Sequence, residues 1–281
     1  MILNVNQIKK FKKKGYVLIK QLLNNNELEK YSSILSSKYI SNNKKSYELY
    51  NKSCWNYLIN EKFIRILKDL LGEKIYYMHD LNFLEHQLDT KGGTWHRDNP
   101  CRTTAFGPDW NNKFPYNVVT TITYMEDSNQ TQAALNLIPK SHKASYKYSI
   151  SNILRRIHSK NKFTHQNNFF IKNIININGK RIFYQKGDCI IFFSNLYHLG
   201  ENLSDRDDIT RRLIVSRFGG KGMHSENYVN YHLRHRKDQV GKYEDLEATN
   251  KFVSFLKKND LYFSIPEKRK NIEGSFFYKS S

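Results

Sequence analysis

Between residues 75 and 220 the chain is built from short apolar runs separated by Gly, Pro and Asn, and no other feature constrains its fold as strongly. Val118–Tyr124 alternates and is rich in β-branched residues. Lys74–Met78, Leu81–Leu84, Ala134–Ile138, Arg181–Gln185, Cys189–Ser194 and Arg212–Phe218 are runs of the same strand-sized kind, and Pro139 closes the third of them. β-Branched and aromatic side chains pack well on a pleated surface, and turn residues at this spacing indicate a sandwich or barrel. Residues 1–75 read instead as mainly helical. Val5–Phe11 starts a helix that Gly15 stops, and Tyr16–Ile19 is a short strand-like run. Asn24–Asn26 can cap a helix carrying Leu28, Tyr31, Ile34 and Leu35, and Trp55–Leu71 is amphipathic up to Gly72. Helices outside a double-sheet core predict a mainly β, α+β fold with a jelly-roll, cupin-like centre.

We expect one domain over 1–281, with a jelly-roll core at 75–220. A polar, basic insertion is expected at 141–180, with a helix near Ser149–His158, and an extension at 221–281 with a helix over Leu246–Lys258. The formal net charge is +20, but the basic residues are spread along the chain and no RRM, zinc-finger or basic-zipper signature accompanies them. Nucleic acid is therefore not the expected partner; help in attracting a small anionic substrate is. The cysteines Cys54, Cys101 and Cys189 are odd in number and far apart, which argues against a disulfide scaffold and for a reducing compartment. No apolar run is long enough for a signal peptide or a membrane span, so a cytoplasmic protein is expected.

The chemistry concentrates in Trp95-His96-Arg97-Asp98. On an extended segment residues i and i+2 point the same way, so His96 and Asp98 can face one ion from a single strand end. His198, at the end of the buried run that Gly187-Asp188 launches, is the candidate third ligand. Two His and one carboxylate on one face of an octahedron leave positions open for a chelating co-substrate and O2, as in iron(II) oxygenases. Zinc catalysis can use a similar trio, so a zinc hydrolase on the same barrel is an alternative. A non-catalytic jelly-roll that holds a polyanion is another. An arginine opening the next strand can lie beside the metal and match a carboxylate with its planar fork. Arg211 is preferred and Arg212 is the fallback, because alternation turns only one of them inward. His142, His224, His232 and His235 are read as surface or structural, and His232–Arg236 as a solvated basic turn.

Taken together, these blocks resemble the phytanoyl-CoA dioxygenase-like family of 2-oxoglutarate oxygenases, which includes ectoine hydroxylase. The likeness covers roughly residues 5–220: the Ile8–Leu23 opening, Trp95–Asp98, Thr121–Asp127, Ala134–His142, and the distal His198, Asn202, Ser204 and Arg211. Departures are Lys140 in place of a Gly before Ser-His, Gly200 one residue late, a longer loop before Arg211, and Ser128–Gln132 in place of a Glu-Asn-Gly turn. The resemblance implies a double-stranded β-helix, Fe(II) bound by His96, Asp98 and His198, and O2-dependent conversion of 2-oxoglutarate to succinate and CO2. It implies that Arg211 holds the distal carboxylate of 2-oxoglutarate, with Asn82 as a polar contact and Thr121 or Thr123 adding a hydroxyl. Halogenase relatives lack the carboxylate ligand; Asp98 is present, which favours hydroxylation, or a related oxidation, of a small molecule. Arg97, Asn99 and Arg102 follow the proximal motif and could line the pocket mouth, Arg97 alternatively meeting solvent. Cys101 is read as a passive small hydrophobe.

Overall fold

The computed structural model describes residues 1–35, 47–86, 95–98, 115–131, 133–143, 179–201, 210–235 and 242–264. Helix α1 (Val5–Lys14) opens on a capping box. The Asn4 side chain accepts from Gln7 N and the Gln7 side chain accepts from Asn4 N, which satisfies two of the helix's orphan donors. Gly15 ends it in the left-handed region at φ +92°, as only glycine does freely, and leads into β1 (Tyr16–Ile19). Helix α2 (Asn25–Leu35) starts on the same reciprocal device between Asn24 and Glu27. After a helical turn α3 (Tyr47–Tyr50), the amphipathic run expected as one helix is split into α4 (Trp55–Leu58) and α5 (Glu61–Leu71). The break falls where Asn60 turns its side chain to accept from Phe63 N at 3.0 Å and caps α5.

The strands form two antiparallel sheets. β2 (Ile75–His86), β3 (Val118–Tyr124), β6 (Cys189–Phe193), β8 (Arg211–Gly220) and β1 make a five-stranded sheet in the order β1-β6-β3-β8-β2. A helical turn α6 (Ser128–Thr131) follows β3, and β4 (Leu135–Leu137), β5 (Lys180–Ile182) and β7 (His198–Gly200) make the small sheet β5-β4-β7. Two expected strands are thus one β2, whose register shifts between Tyr77 and Leu81, with His79 at φ +57° inside the bulge. The insertion expected at 141–180 lies, apart from its two ends, outside the described residues.

Alternation along the large sheet explains the two cores. Val119, Ile191, Ile214 and Phe218 face the helices, with Tyr57, Phe63, Ile66 and Leu67 packed on them. Ile122, Tyr124, Ile190, Phe192, Leu213 and Val215 face the small sheet and meet Leu135, Leu137 and Ile182. The extension supplies the expected α8 (Leu246–Lys258) and an unexpected α7 (Met223–His235). His224 and His232 are buried on α7, so the stretch from His232 begins in a packed helix and not in a solvated turn. His79 ties the extension to the sheet: its ring nitrogens meet Tyr243 Oη at 2.6 Å and Phe263 O at 3.0 Å, and its carbonyl accepts from Lys242 Nζ at 2.6 Å.

Asp188 shows why the Gly187-Asp188 turn launches β6. Its fully buried carboxylate accepts from Lys20 Nζ at 2.7 Å, Gln21 N at 2.9 Å and Gln185 N at 3.0 Å, which joins β1 to the start of β6. Asp188→Ala should lower the unfolding free energy by about 3 kcal/mol, because buried donors lose a charged acceptor. Lys20→Met should cost less than about 1 kcal/mol, since that ammonium is mostly exposed. Urea denaturation of both variants checks the ratio.

Candidate metal centre

The metal trio is assembled by backbone pairing. His96 N donates to His198 O and His198 N to His96 O, each at 3.0 Å, so the two residues form an antiparallel bridge. Asp98 N donates to Ser194 O at 2.7 Å and carries the pairing two residues on. The imidazole centroids come within 4.3 Å of each other. One ligand atom from each of His96, Asp98 and His198 lies within 4.8 Å of the others. His96 Nε2 is 3.5 Å from Asp98 Oδ1, and His198 Nε2 is 3.5 Å from Asp98 Oδ2. These separations suit three donors around one divalent ion with ligand distances near 2 Å.

His198 and Asp98 are each held in a ligating state. His198 Nδ1 donates to Leu196 O at 3.0 Å, which leaves the Nε2 lone pair facing the site. Burial, aided by His96, lowers the pKa of His198 to about 3, so the ring is neutral at physiological pH. Burial alone would raise the pKa of Asp98, but Arg217 and the two imidazoles hold it well below the usual carboxylate range. Thr120 Oγ1 donates to Asp98 Oδ2 at 2.9 Å, and Ser194 Oγ lies 2.9 Å from Thr120 Oγ1. The His198 ring packs on Phe192 of the inner face at 4.6 Å. His96 is the more exposed ligand, its side chain 25% accessible, so the centre opens on that side.

Of the two candidate arginines, Arg211 turns inward and is buried. Its Nη1 donates to Glu201 O at 2.9 Å. A Cβ built on Gly200 would lie 3.9 Å from its Nη2, on the side of β7 to which His198 also points. Arg212 turns outward and pairs with Glu126 at 2.7 Å. Asn82 shares the inner face, opposite Val215, and its amide donates to Asp80 Oδ1 at 2.6 Å. Thr121 and Thr123 are not brought to the trio. They lie one residue out of step with Thr120 and face the helices, where Thr121 bonds Ser216 at 2.6 Å and Thr123 bonds Tyr57 at 2.8 Å. Arg97 lines neither a pocket mouth nor solvent. It is 1% exposed, stacks 4.3 Å over the Tyr197 ring and donates to Ser141 O at 3.1 Å. Alternation turns it away from His96 and Asp98, onto the segment that carries Ser141 and His142. In that segment Lys140, standing where the resembled segment has Gly, takes φ +70°. Asn99, Cys101 and Arg102 lie outside the described residues.

Sequence reasoning missed Thr120, Arg217 and Asp80. Arg217 Nη2 lies 3.0 Å from Asp98 Oδ2, and its Nη1 is paired with Asp80. The available signal was periodic: Arg211, Leu213, Val215 and Arg217 share one face of β8, and a charge that deep in an apolar strand needs a buried partner.

A family model described as phytanoyl-CoA dioxygenase (PhyH) matches residues 11–212. Iron-bound HygX from Streptomyces hygroscopicus is similar in structure, with TM-score 0.58 at 14% identity over 78% of this chain and 87% of that one. The α-ketoglutarate-dependent epimerase SnoN from nogalamycin biosynthesis has TM-score 0.54 at 12% identity, covering 76% of this chain and 81% of its own. The carbocyclase SnoK from the same biosynthesis has TM-score 0.55 at 12% identity, covering 78% and 85%. HygX has also been solved with nickel and 2-oxoglutarate. No curated protein matches the sequence significantly. Among the described residues no helix is long and apolar enough to cross a membrane.

Three of the buried histidines set an acid limit on the metal-free fold. His79 and His198 are lowered to about 3 and His142 to about 4, in each case chiefly by burial. Below the ordinary histidine pKa of about 6.5 the unfolded chain takes up protons that the native state refuses, so stability falls with pH. The expected loss between about pH 7 and about pH 5 is roughly 2 kcal/mol per histidine. Urea unfolding at the two pH values measures it, and a flat profile would contradict the burial of neutral rings.

Proposed function

Because the chain belongs to the phytanoyl-CoA dioxygenase family, we propose that it is an iron(II)- and 2-oxoglutarate-dependent dioxygenase that hydroxylates a small, anionic metabolite. The observation that carries this reading is the placement of Arg211 beside Gly200, on the His198 side of β7. Residues two apart on a strand are separated by roughly 7 Å. A keto-diacid would lie along this stretch of β7 with its keto-acid end at the trio and its far carboxylate on the guanidinium. The two sheets around this space fit a double-stranded β-helix, and the likeness to HygX, SnoN and SnoK supports that closure. We assign all 281 residues to one such domain.

His96, Asp98 and His198 would hold the metal, which fits their donor set and spacing. Iron(II) there supplies O2 activation, coupled to decarboxylation of 2-oxoglutarate to succinate. His198 presents Nε2 because its Nδ1–H donates to Leu196 O. Asp98 stays ionised in a buried place, and Arg211, with Asn82 on the same inner face, would orient the co-substrate. Leu135, Leu137, Ile190 and Phe192 line the inner face and exclude water from it. The carboxylate ligand argues against halogenation and for hydroxylation or a related oxidation. An anionic substrate fits the net charge of +20, and three cysteines, odd in number and far apart in the sequence, fit a reducing cytoplasm.

The test is succinate formation from 2-oxoglutarate, with and without iron(II). Wild type should turn over slowly even without its substrate, and Asp98→Ala should abolish turnover while keeping its far-UV circular dichroism. Arg211→Ala should raise KM for 2-oxoglutarate by about 30-fold or more, the loss of a charge-assisted carboxylate grip of about 2 kcal/mol. Arg212→Ala should change it by less than about threefold, as expected of a distant surface change. Absence of succinate from wild type, or full activity of Asp98→Ala, would favour a zinc hydrolase or a silent binding protein.

A further inference from the structure

Both oxygens of Asp98 lie 3.5 Å from an imidazole Nε2, so distance alone does not decide which one a metal would take. The hydrogen-bond donors decide it. Thr120 Oγ1 at 2.9 Å and Arg217 Nη2 at 3.0 Å both fall on Oδ2. The other end of the same guanidinium is paired through Nη1 with Asp80, which is itself 2% exposed. Asp80 Oδ1 accepts from Asn82 at 2.6 Å, and its Oδ2 faces Tyr228 Oη at 3.4 Å and His232 Nε2 at 3.7 Å. A buried arginine thus bridges a metal-ligand carboxylate and a second carboxylate whose place nothing in the metal motif predicts.

We propose that Arg217 and Asp80 are positioning residues that set how Asp98 binds the metal. The guanidinium and Thr120 occupy Oδ2, so Asp98 offers the metal Oδ1 alone. Asp80 offsets the guanidinium charge, which would otherwise oppose a dication bound to its neighbour. The consequence concerns the number of open positions. Two imidazoles and a one-oxygen carboxylate leave three vacancies in an octahedron, enough for a chelating keto acid and O2, whereas a two-oxygen carboxylate leaves two. Asp80 reaches Arg217 through the β2 bulge at His79, which Tyr243, Phe263 and Lys242 brace from the C-terminal extension. The inference rests on the reading of His96, Asp98 and His198 as a metal centre and extends it to residues outside the metal motif.

The test is anaerobic calorimetric titration of the full-length protein with Mn(II), followed by 2-oxoglutarate on the Mn(II)-loaded form. Asp80→Asn should weaken Mn(II) binding at least tenfold, because the Arg217 charge then falls on Asp98 uncompensated. The double variant Asp80→Asn/Arg217→Met should recover Mn(II) binding to within about threefold of wild type. It should bind 2-oxoglutarate about tenfold more weakly, because Oδ2 is released to the metal. Simple loss of packing would not produce that split. If Asp80→Asn fails to fold, Arg217→Lys replaces it: the charge is kept but the two-sided fork is lost, and 2-oxoglutarate binding should fall similarly. Mn(II) binding by Asp80→Asn equal to wild type, a double variant no better than the single, or wild-type 2-oxoglutarate affinity in Arg217→Lys would overturn the proposal. If wild type takes up no Mn(II), or Asp98→Ala takes it up equally well, the metal-centre reading fails first and the inference with it.

Discussion

A single antiparallel bridge between His96 and His198 holds the centre together. Its two backbone hydrogen bonds, each 3.0 Å long, join segments about a hundred residues apart in the chain, and the imidazoles follow from that pairing. Asp98 is placed by the same geometry, because its N–H goes to Ser194 O and a two-residue step returns its side chain to the His96 side. Backbone pairing is more rigid than side-chain contact, and a ligand set fixed this way loses little freedom when an ion arrives.

The surrounding fold serves that bridge from both sides. The large sheet buries its outer face under α1, α4 and α5 and turns Thr120, Phe192 and Arg217 toward the small sheet. On the far side Arg97, stacked on Tyr197, meets the segment that follows β4. There Tyr197 N donates to Ser141 Oγ at 2.9 Å and Asn195 Nδ2 to His142 O at 3.0 Å. The polar groups at the centre are mutually bonded, as buried charge requires: Asp98 and Asp80 share one guanidinium, and the His198 Nδ1–H donates to a carbonyl.

The metal ligands and the inward arginine were legible because both follow from strand periodicity. A His-x-Asp step needs an extended backbone, and two adjacent arginines on a strand must face opposite ways. Thr121 and Thr123, implied by the resemblance and not by alternation, face the helices, and the register puts Thr120 on the inner face. Asp80 was illegible because a bulge with His79 in the left-handed region sets its direction, and no local motif announces a bulge. α7 was missed because its sequence, Met223–His235, is mostly polar, yet it buries Tyr228, Val229 and His232 against the core. Arg97 looked like a pocket or solvent residue because sequence cannot show that Tyr197 and Ser141 cover it.

The account turns on one arrangement: a single ion held between two imidazoles and one oxygen of a carboxylate whose other oxygen is occupied. A crystal structure of the protein grown with Mn(II) and 2-oxoglutarate under anaerobic conditions tests it most directly. Anomalous density should lie between His96 Nε2, His198 Nε2 and Asp98 Oδ1, with Oδ2 still bonded to Thr120 and Arg217 and the far carboxylate of the keto acid on Arg211. Manganese bound elsewhere, or bound through both oxygens of Asp98, would contradict it.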